Sequence, residues 1–368
     1  KAVIATGCLA ERYRDEMKKE IPELDAVVGI GSNGKICDII REILLDKQAV
    51  CSYGAKTELS MEGGRIISTE PFYAYIKIAE GCSNNCTYCA IPSIRGKYRS
   101  RRMEDIVKEA RWLAENGVTE LVVVAQDTTR YGEDIYGKSM LPELLTALCE
   151  IDGFKWIRTL YCYPERITDE LLDVIAKEDK LVKYLDMPIQ HCDKNILKRM
   201  NRHGDRETLT ALIKKIREKI PNVTLRTTLI TGFPGETKEQ FEELCEFVKE
   251  IRFERLGCFA YSPEEGTPAE KFEDQVPLKD RERRAEIIME EQMIISDSFN
   301  EAALDSEVEV VCEGFDRYAE CYYGRSQADA PEIDGKIFFL SEDKVRVGEY
   351  VKVKIDDTMD YDLIGSKM

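Results

Sequence analysis

The chain has 368 residues, 43% of them hydrophobic. No apolar run approaches the ~18 residues needed to span a membrane, so we expect a soluble protein of two or three domains. The formal net charge of −17 argues against nucleic acid as a direct partner, because an acidic surface repels phosphate, and thirteen cysteines without a secretory signal predict reduced thiols in the cytoplasm.

The first segment, residues 1–50, is predicted to be part of an α/β domain. Lys1 to Asp46 read as strand, helix, strand and helix, and the chain opens inside the first strand, Ala2 to Ala5, without a methionine. We therefore expect further residues upstream. Residues 51–70 are predicted to be a linker, since the pair Gly63-Gly64 lies in a stretch without periodicity.

From Tyr73 onward, short β-branched or aromatic runs alternate with amphipathic stretches, which predicts βαβ units and a parallel sheet. The predicted strands are Tyr73 to Ile78, Glu120 to Ala125, Trp156 to Tyr161, Lys183 to Met187, Val223 to Ile230 and Arg255 to Tyr261. The predicted helices between them are Met103 to Glu115, Leu141 to Cys149, Asp169 to Lys177, Arg206 to Lys219 and Lys238 to Ile251. Six units, within residues 71–277, are too few for a full eight-fold barrel, and the chemistry is expected at the carboxyl ends of their strands.

Three cysteines directly follow the first barrel strand, in the run Glu80-Gly81-Cys82-Ser83-Asn84-Asn85-Cys86-Thr87-Tyr88-Cys89. Their spacing is C-x3-C-x2-C, and no fourth cysteine or histidine stands nearby to close a tetrahedral zinc site. Three thiolates can bind three irons of a four-iron, four-sulfur cluster and leave the fourth iron open to a small molecule. The alternatives are three buried free cysteines or a partial zinc knuckle.

The motif resembles the signature of the radical S-adenosylmethionine (radical SAM) superfamily, including the aromatic residue before the last cysteine, here Tyr88. The resemblance implies a partial (βα)6 barrel in which Cys82, Cys86 and Cys89 hold the cluster and its open iron binds the methionine part of SAM. It also assigns Tyr88 and Gln126 to cofactor binding, because superfamily members contact SAM just past the second strand.

Five residues fall just past predicted strand ends and are expected to face one site: Cys82, Gln126, Tyr163, Gln190 and Gly232.

After the barrel, a connecting helix is predicted at residues 278–304, and residues 305–368 change character. Four runs there are typical of short antiparallel strands: Val308 to Cys312, Tyr318 to Tyr323, Lys336 to Leu340 and Tyr350 to Ile355. We expect a small five-stranded antiparallel β-barrel of the oligonucleotide-binding type. The sixteen acidic and eight basic residues of this segment give it a negative net charge, which is unfavourable for RNA and suits a basic partner protein. The alternative is that these acids only solvate the surface.

A leading α/β fragment, a radical SAM barrel and a small β-barrel, in this order, resemble the methylthiotransferase family, whose terminal barrel is called the TRAM domain. In that family three separated cysteines of the first domain hold a second cluster. The run Thr6-Gly7-Cys8-Leu9-Ala10-Glu11-Arg12-Tyr13 matches the motif of the third one. The resemblance implies that Cys8 is a ligand of this auxiliary cluster and that the other ligands lie upstream. The alternative for Cys8 is a buried thiol at a strand end.

The family has a MiaB-like branch, which modifies an adenosine beside the tRNA anticodon, and a RimO-like branch, which modifies the β-carbon of an aspartate in the decoding-centre ribosomal protein S-twelve. The RimO-like branch is indicated by Gln126-Asp127-Thr128-Thr129-Arg130-Tyr131-Gly132, Tyr161-Cys162-Tyr163-Pro164, Met187-Pro188-Ile189-Gln190-His191, Ser262-Pro263-Glu264-Glu265-Gly266 and Ala328-Asp329-Ala330-Pro331-Glu332-Ile333-Asp334-Gly335. Glu264 and Glu265, at the predicted barrel mouth, also suit a basic substrate protein.

The resemblance implies that one SAM methylates a sulfur held at the auxiliary cluster, whereas a second SAM is cleaved to a radical that removes hydrogen from the aspartate. It also implies a flavodoxin or ferredoxin as the electron donor and a basic small-subunit ribosomal protein bound through the acidic TRAM domain. A tRNA methylthiotransferase is one alternative. A non-catalytic nucleic-acid-binding protein with a redox cluster is another.

Several further features of the sequence can be interpreted either as functional or as structural. The basic run Arg95, Lys97, Arg99, Arg101 and Arg102 could bind SAM's carboxylate, neutralise the cluster or receive the target aspartate, or it could be a solvated helix entrance. His191 could contact the substrate or be structural. The turn from Gly232 to Thr237 could line the cofactor site or simply cap a helix.

Overall fold

The computed structural model describes residues 2–46, 50–67 and 70–368. The N-terminal residues form a three-stranded parallel sheet in the order β1-β2-β3. Its elements are β1 (Ile4–Thr6), α1 (Cys8–Glu20), β2 (Ala26–Val28), α2 (Ile36–Asp46) and β3 (Val50–Ser52). Strand β3 differs from the prediction, which placed the linker from residue 51. Its short run has no alternation to mark it, and it is defined by its pairing with β2.

The partial barrel consists of parallel strands whose order in space follows the chain. The strands of this region are β4 (Tyr73–Lys77), β5 (Ala79–Glu80), β6 (Arg99–Ser100), β7 (Glu120–Val124), β8 (Trp156–Thr159), β9 (Tyr184–Asp186), β10 (Thr224–Thr231) and β11 (Arg255–Ala260). The short pair β5 and β6 is antiparallel. A bridge between Ile157 and Leu181 joins the sheet β4-β7-β8 to the sheet β9-β10-β11.

Helices cover the outside of the barrel. They are α3 (Ile91–Arg95), α4 (Met103–Glu115), α5 (Glu133–Tyr136), α6 (Leu141–Cys149), α7 (Asp169–Lys177), α8 (Lys194–Arg199), α9 (Arg206–Lys219) and α10 (Lys238–Ile251). The five predicted helices have the predicted bounds, because each carries a clear apolar stripe. In α4, for example, Ile106, Ala110 and Leu113 are fully buried at spacings of four and three residues.

Alternate residues of the barrel strands point to two different cores. Leu121 and Val123 of β7 belong to the large core beneath the helices. Val122, between them, packs with Trp156 and Tyr184 in a smaller cluster that includes TRAM residues. This period of two is what a strand requires when both of its faces are covered.

Helix α11 (Leu278–Ala302) leads to the C-terminal barrel, which within the described residues is closed by five strands in the order β12-β13-β14-β16-β15. The strands are β12 (Glu307–Asp316), β13 (Cys321–Arg325), β14 (Ile337–Leu340), β15 (Tyr350–Met359) and β16 (Asp362–Lys367). Two points correct the prediction. Strand β16 was not located, and it pairs with β14 in parallel, so the barrel is mixed rather than entirely antiparallel.

The loop between β13 and β14 packs against the amino-terminal ends of the barrel strands. Buried Arg158 donates to the carbonyl of Gln327 at 2.9 Å, and Arg255 donates to Asp329 at 2.7 Å. Tyr184 donates its hydroxyl proton to Asp334, also at 2.7 Å. Several TRAM acids are therefore used within the chain, and the TRAM domain lies at the end of the barrel opposite the carboxyl ends of its strands. None of the helices in the three described ranges is long and apolar enough to cross a membrane.

Candidate functional site

A cavity of about 250 Å³ lies at the carboxyl ends of the barrel strands. It is lined by Cys82, Asn84, Cys86, Tyr88, Cys89, Ile91, Gln126, Tyr161, Cys162, Tyr163, Pro188, Gln190, Arg202 and Thr228. All three motif cysteines are therefore brought together with Tyr88 and Gln126. Four of the five strand-end residues line the cavity, and Gly232 does not.

Backbone hydrogen bonds hold the cysteine loop from two sides. The Cys82 amide donates to the carbonyl of Gly96 at 3.1 Å, and the Thr87 amide donates to that of Met200 at 3.1 Å. Gly81, just before the first cysteine, has a φ of +74°. A Cβ there would lie 2.4 Å from the Lys97 carbonyl oxygen, so the tight entry to the loop requires glycine.

The surroundings of two thiols of the loop, Cys82 and Cys89, favour the protonated form. Burial raises the pKa of Cys82 to about 11 and also raises that of Cys89. Binding of a metal would therefore displace protons from these thiols.

The donor set fits a cluster better than a single ion. Among the described residues, no three or more His, Cys, Asp or Glu side chains are grouped so that they could hold one metal ion. A four-iron cluster makes a different demand, because each cysteine binds a different iron and the sulfurs need not converge. Three thiols around one cavity meet that demand, whereas a closed zinc site needs a fourth ligand.

Arg202 is the one charged side chain among the described residues that line the cavity. Its guanidinium lies over the ring of Tyr163, 4.0 Å from the centroid, and donates to the carbonyl of Pro188 at 2.7 Å. Burial lowers the pKa of Arg202, but the nearby phenols of Tyr88 and Tyr163 outweigh this effect, and the guanidinium stays charged. Sequence reasoning missed Arg202 because it follows α8 in a stretch without a motif. Tyr163 in turn places its hydroxyl 3.7 Å from the sulfur of Cys86.

The turn after β10 packs against a residue that lines the cavity. Phe233 packs edge-on against Tyr88, with ring centroids 6.5 Å apart. Gly232 has a φ of +67° and donates its amide proton to Glu236 at 2.8 Å, whereas Thr237 caps the next helix. The capped-turn interpretation of this loop is therefore the one that agrees with the structure.

Neither histidine lies at the cavity. His191 is fully buried, its Nδ1 accepts a hydrogen bond from the Asp193 amide at 2.9 Å, and its Nε2 lies 3.6 Å from Glu236. His191 therefore does not line the cavity, and its contacts are with Asp193 and Glu236 of the chain. The backbone of His203 donates to Glu165 at the surface.

Cys8 lies at the start of α1, and its sulfur accepts two hydrogen bonds from Arg95, from Nε at 3.2 Å and from Nη2 at 3.0 Å. The same guanidinium pairs with the buried carboxylate of Glu80 at 3.0 Å. Cys8 belongs to no group of three or more metal-ligand side chains within the described ranges. These residues alone therefore do not fit a second cluster.

The rest of the basic run does not line the cavity either. Arg101 is buried and pairs with Glu62 of the linker and with Glu109 of α4. Arg99 donates to the carbonyls of Lys56 and Thr57, both at 2.9 Å. Part of the run therefore fastens the N-terminal segment and the linker to the barrel, an outcome that neither interpretation anticipated.

Two glutamates expected to meet a basic substrate have partners within the chain. Arg12 of α1 forms an ion pair with Glu264 and donates to the carbonyl of Glu265 at 2.6 Å. Tyr13 donates to the carboxylate of Glu265 at 3.0 Å. These contacts join the N-terminal segment to the mouth of the barrel.

Comparison with known proteins agrees with this architecture. Residues 76–248 match the family model "Radical SAM superfamily", and residues 306–367 match "TRAM domain". A solved radical SAM methyltransferase, TsrM from Kitasatospora setae, is similar in fold, with a TM-score of 0.54 and 15% identity over 71% of this chain and 57% of that chain. The fold class predicted from the sequence is confirmed, and membership of this superfamily implies a four-iron cluster and SAM.

Two curated relatives are similar over nearly the whole chain, and both are ribosomal protein uS12 methylthiotransferases RimO. The protein from Clostridioides difficile (strain 630) is 51% identical over 365 residues, which cover 99% of this chain and 82% of the relative. The protein from Thermoanaerobacter sp. (strain X514) is 49% identical over 366 residues, with 99% and 83% covered. The chain therefore belongs to the uS12 methylthiotransferase RimO family of radical SAM proteins.

Proposed function

We propose that this chain is a methylthiotransferase that modifies the β-carbon of an aspartate in ribosomal protein uS12 by radical SAM chemistry. The observation that carries the proposal is the 51% identity with a uS12 methylthiotransferase over 99% of the chain. The cavity around Cys82, Cys86 and Cys89 supports it, since it brings three thiols together at the carboxyl ends of the barrel strands.

Within this proposal, Cys82, Cys86 and Cys89 hold the cluster that binds SAM. A four-iron cluster held by these residues would supply the one electron that cleavage of SAM requires. Gln126 is exposed to the cavity and, with Tyr88, is proposed to contact SAM. The chain itself contributes binding, orientation and exclusion of water.

Arg202 is proposed to bind the carboxylate of SAM. A guanidinium recognises a carboxylate through charge-assisted hydrogen bonds, and Arg202 is the cation available at the cavity. The Tyr163 ring beneath it and the Pro188 carbonyl fix the plane of its guanidinium. This arrangement orients a charged ligand next to the cysteines at little cost in side-chain entropy.

The finer parts of the proposal concern the second cluster and the partners. Cys8 is proposed as one ligand of an auxiliary cluster whose other ligands lie outside the described residues. The TRAM domain, with sixteen acidic and eight basic residues, is proposed to bind uS12 through opposite charge. Electrons are proposed to come from a flavodoxin or ferredoxin, and the reaction to take place in the cytoplasm.

Mass spectrometry of ribosomal proteins from cells with and without this chain tests the function. We expect an aspartate of uS12 to lose a mass equal to one sulfur atom plus one CH₂ when the chain is absent. Complementation with Cys162→Ala should restore the modification, and complementation with Cys82→Ala should not. Cys162 is the matched control because it lines the same cavity outside the motif.

The alternatives give different results. Loss of methylthioadenosine from tRNA with uS12 unchanged would favour the tRNA methylthiotransferase. A reconstituted protein that forms no 5′-deoxyadenosine from SAM and dithionite would favour a non-catalytic cluster protein.

A further inference from the structure

We infer that Lys56, Lys97 and Arg99 form the docking site for an acidic electron-carrier protein of the flavodoxin class. We call these three residues the electron-entry surface. The inference rests on the proposed radical chemistry, because cleavage of SAM needs an external one-electron donor. At this surface the carrier is oxidised by one electron, and the cluster held by the chain is reduced by one.

The three cations are close together. Lys97 and Arg99 are two residues apart, on either side of the buried Tyr98, and Lys97 is exposed whereas Arg99 is partly exposed. Arg99 donates to the Lys56 carbonyl at 2.9 Å. A Cβ at Gly96 would lie 3.5 Å from the Cβ of Lys56, which places that side chain against the same segment.

The positive charge of this surface is not neutralised within the chain. No ion pair in residues 2–46, 50–67 and 70–368 includes Lys56, Lys97 or Arg99. Arg95 and Arg101 of the same basic run, in contrast, both pair with carboxylates. In a chain with a net charge of −17, a local group of unpaired cations attracts an acidic protein and orients it as it approaches.

The surface is connected to the proposed cluster ligands by short backbone contacts. Gly96 accepts a hydrogen bond from the Cys82 amide at 3.1 Å, and the Tyr98 amide donates to the Ser83 side chain at 3.1 Å. Strand β6, which contains Arg99, pairs with β5 immediately before the cysteine loop. The backbone next to Lys97 is therefore joined by one hydrogen bond to the backbone of Cys82.

Binding of oxidised flavodoxin to the reconstituted protein, titrated at low salt, tests the surface. Because Lys97→Glu replaces an attraction by a repulsion, we expect the dissociation constant to rise about fivefold and the difference to shrink as salt is added. Lys97→Arg keeps the charge and should bind as the unmodified protein does. Lys344→Glu makes the same charge change on the exposed TRAM surface and should have no effect.

Formation of 5′-deoxyadenosine provides a second measurement. With reduced flavodoxin as the donor, Lys97→Glu should slow it at limiting flavodoxin. With dithionite, which needs no docking site, the variant should match the unmodified protein. Because 5′-deoxyadenosine forms without uS12, this measurement tests flavodoxin docking independently of methylthio transfer.

Three results would overturn the inference. The first is equal affinity of Lys97→Glu and the unmodified protein for flavodoxin. The second is an equal loss in Lys344→Glu, which would show that only the overall charge matters. The third is that Lys97→Glu weakens binding of tRNA but not of flavodoxin, because the surface would then serve a nucleic acid.

Discussion

The guanidinium of Arg95 donates two hydrogen bonds to the sulfur of Cys8, at 3.2 and 3.0 Å. Arg95 ends α3, directly after the cysteine loop, whereas Cys8 begins α1 of the N-terminal segment. One side chain thus connects the two regions that the proposed function assigns to two clusters. Because Arg95 also pairs with Glu80, it fixes the position of Cys8 relative to the loop.

Replacement of Arg95 by glutamine should destabilise the protein. The variant loses the hydrogen bonds to Cys8 and the ion pair with the buried Glu80, so we expect the free energy of unfolding to fall by about 1–3 kcal/mol. Denaturant titration of the apo protein measures this value. Arg102→Gln, at an exposed position of the same run, is the control and should change it by less than about 0.5 kcal/mol. Equal effects of the two substitutions would contradict the bridging role.

The pairing of Glu80 predicts a dependence of stability on pH. Burial raises the pKa of Glu80, but Lys77 and Arg95 outweigh it and hold the pKa below its usual range. The unfolded chain has a glutamate pKa of about 4.3, and above this pH the lowered pKa of Glu80 stabilises the folded protein. This stabilisation is lost as the pH falls through the pKa of Glu80 in the folded protein.

Glu80→Gln removes this titration. The difference in stability between the unmodified protein and the variant should therefore be full at neutral pH and shrink on acidification below about pH 4.3. Denaturant titrations of both proteins across this range measure it. A difference that stayed constant or grew in acid would show that the ion pair is not its source. Glu282→Gln, at an exposed position without an ion pair in the described residues, should show no such trend.

Substitution of Arg202 by lysine should weaken SAM binding. Lysine keeps the charge but loses the planar contact with Tyr163 and the two-pronged geometry that suits a carboxylate. We expect the dissociation constant of SAM for the reconstituted protein to rise about tenfold. Tyr163→Phe retains the ring and should leave the constant nearly unchanged. Unaltered affinity in Arg202→Lys would remove Arg202 from the proposed SAM site.

Each of the substitutions Cys82→Ala, Cys86→Ala and Cys89→Ala should abolish formation of 5′-deoxyadenosine and lower the iron bound after anaerobic reconstitution. Three thiols are the minimum that keeps one iron open to SAM. Cys162→Ala should retain iron and activity, although it truncates a buried side chain in the same cavity. Iron analysis with visible absorption spectroscopy separates loss of the cluster from loss of catalysis. Retention of a full cluster by Cys86→Ala would refute the ligand assignment.

The sequence predicted elements whose signals are local. The bounds of α4, α6, α7, α9 and α10 were predicted correctly because each helix carries a periodic apolar face. The cysteines, Tyr88, Gln126, Tyr163 and Gln190 reach one cavity because parallel strands bring their carboxyl ends together.

The features that were missed depend on distant partners. Strand β16 has a mixed composition, Asp362-Leu-Ile-Gly-Ser-Lys367, and is fixed by its pairing with β14 and β15. The roles of Arg95 and Arg101 depend on carboxylates that lie 15 and 39 residues away in the chain, which a run of basic residues does not reveal. Glu264 has its partner, Arg12, 252 residues away.

The TRAM surface gives the last prediction. A groove there is lined by Phe315, Tyr322 and Leu340, and at its edge three acids, Glu320, Glu342 and Asp343, outnumber two lysines, Lys344 and Lys367. Lys367 pairs with Asp343 at 3.8 Å. An aromatic floor with an excess of acids at its rim suits a basic protein segment, since lysine and arginine side chains can stack on the rings and pair with the carboxylates.

Reversal of both charges, in Glu342→Lys/Asp343→Lys, should therefore weaken binding of uS12 about tenfold at low salt, because two attractions become repulsions. Pull-down or titration with purified uS12 measures this, and the effect should decrease as salt screens the charges. Glu282→Lys, at an exposed position of α11, tests whether reversing the charge of any exposed acid weakens uS12 binding equally. The doubly substituted protein should cleave SAM normally, because the TRAM barrel packs at the end of the radical SAM barrel opposite the cysteines. Equal affinity for uS12 in all three proteins would show that the groove is not where the substrate binds.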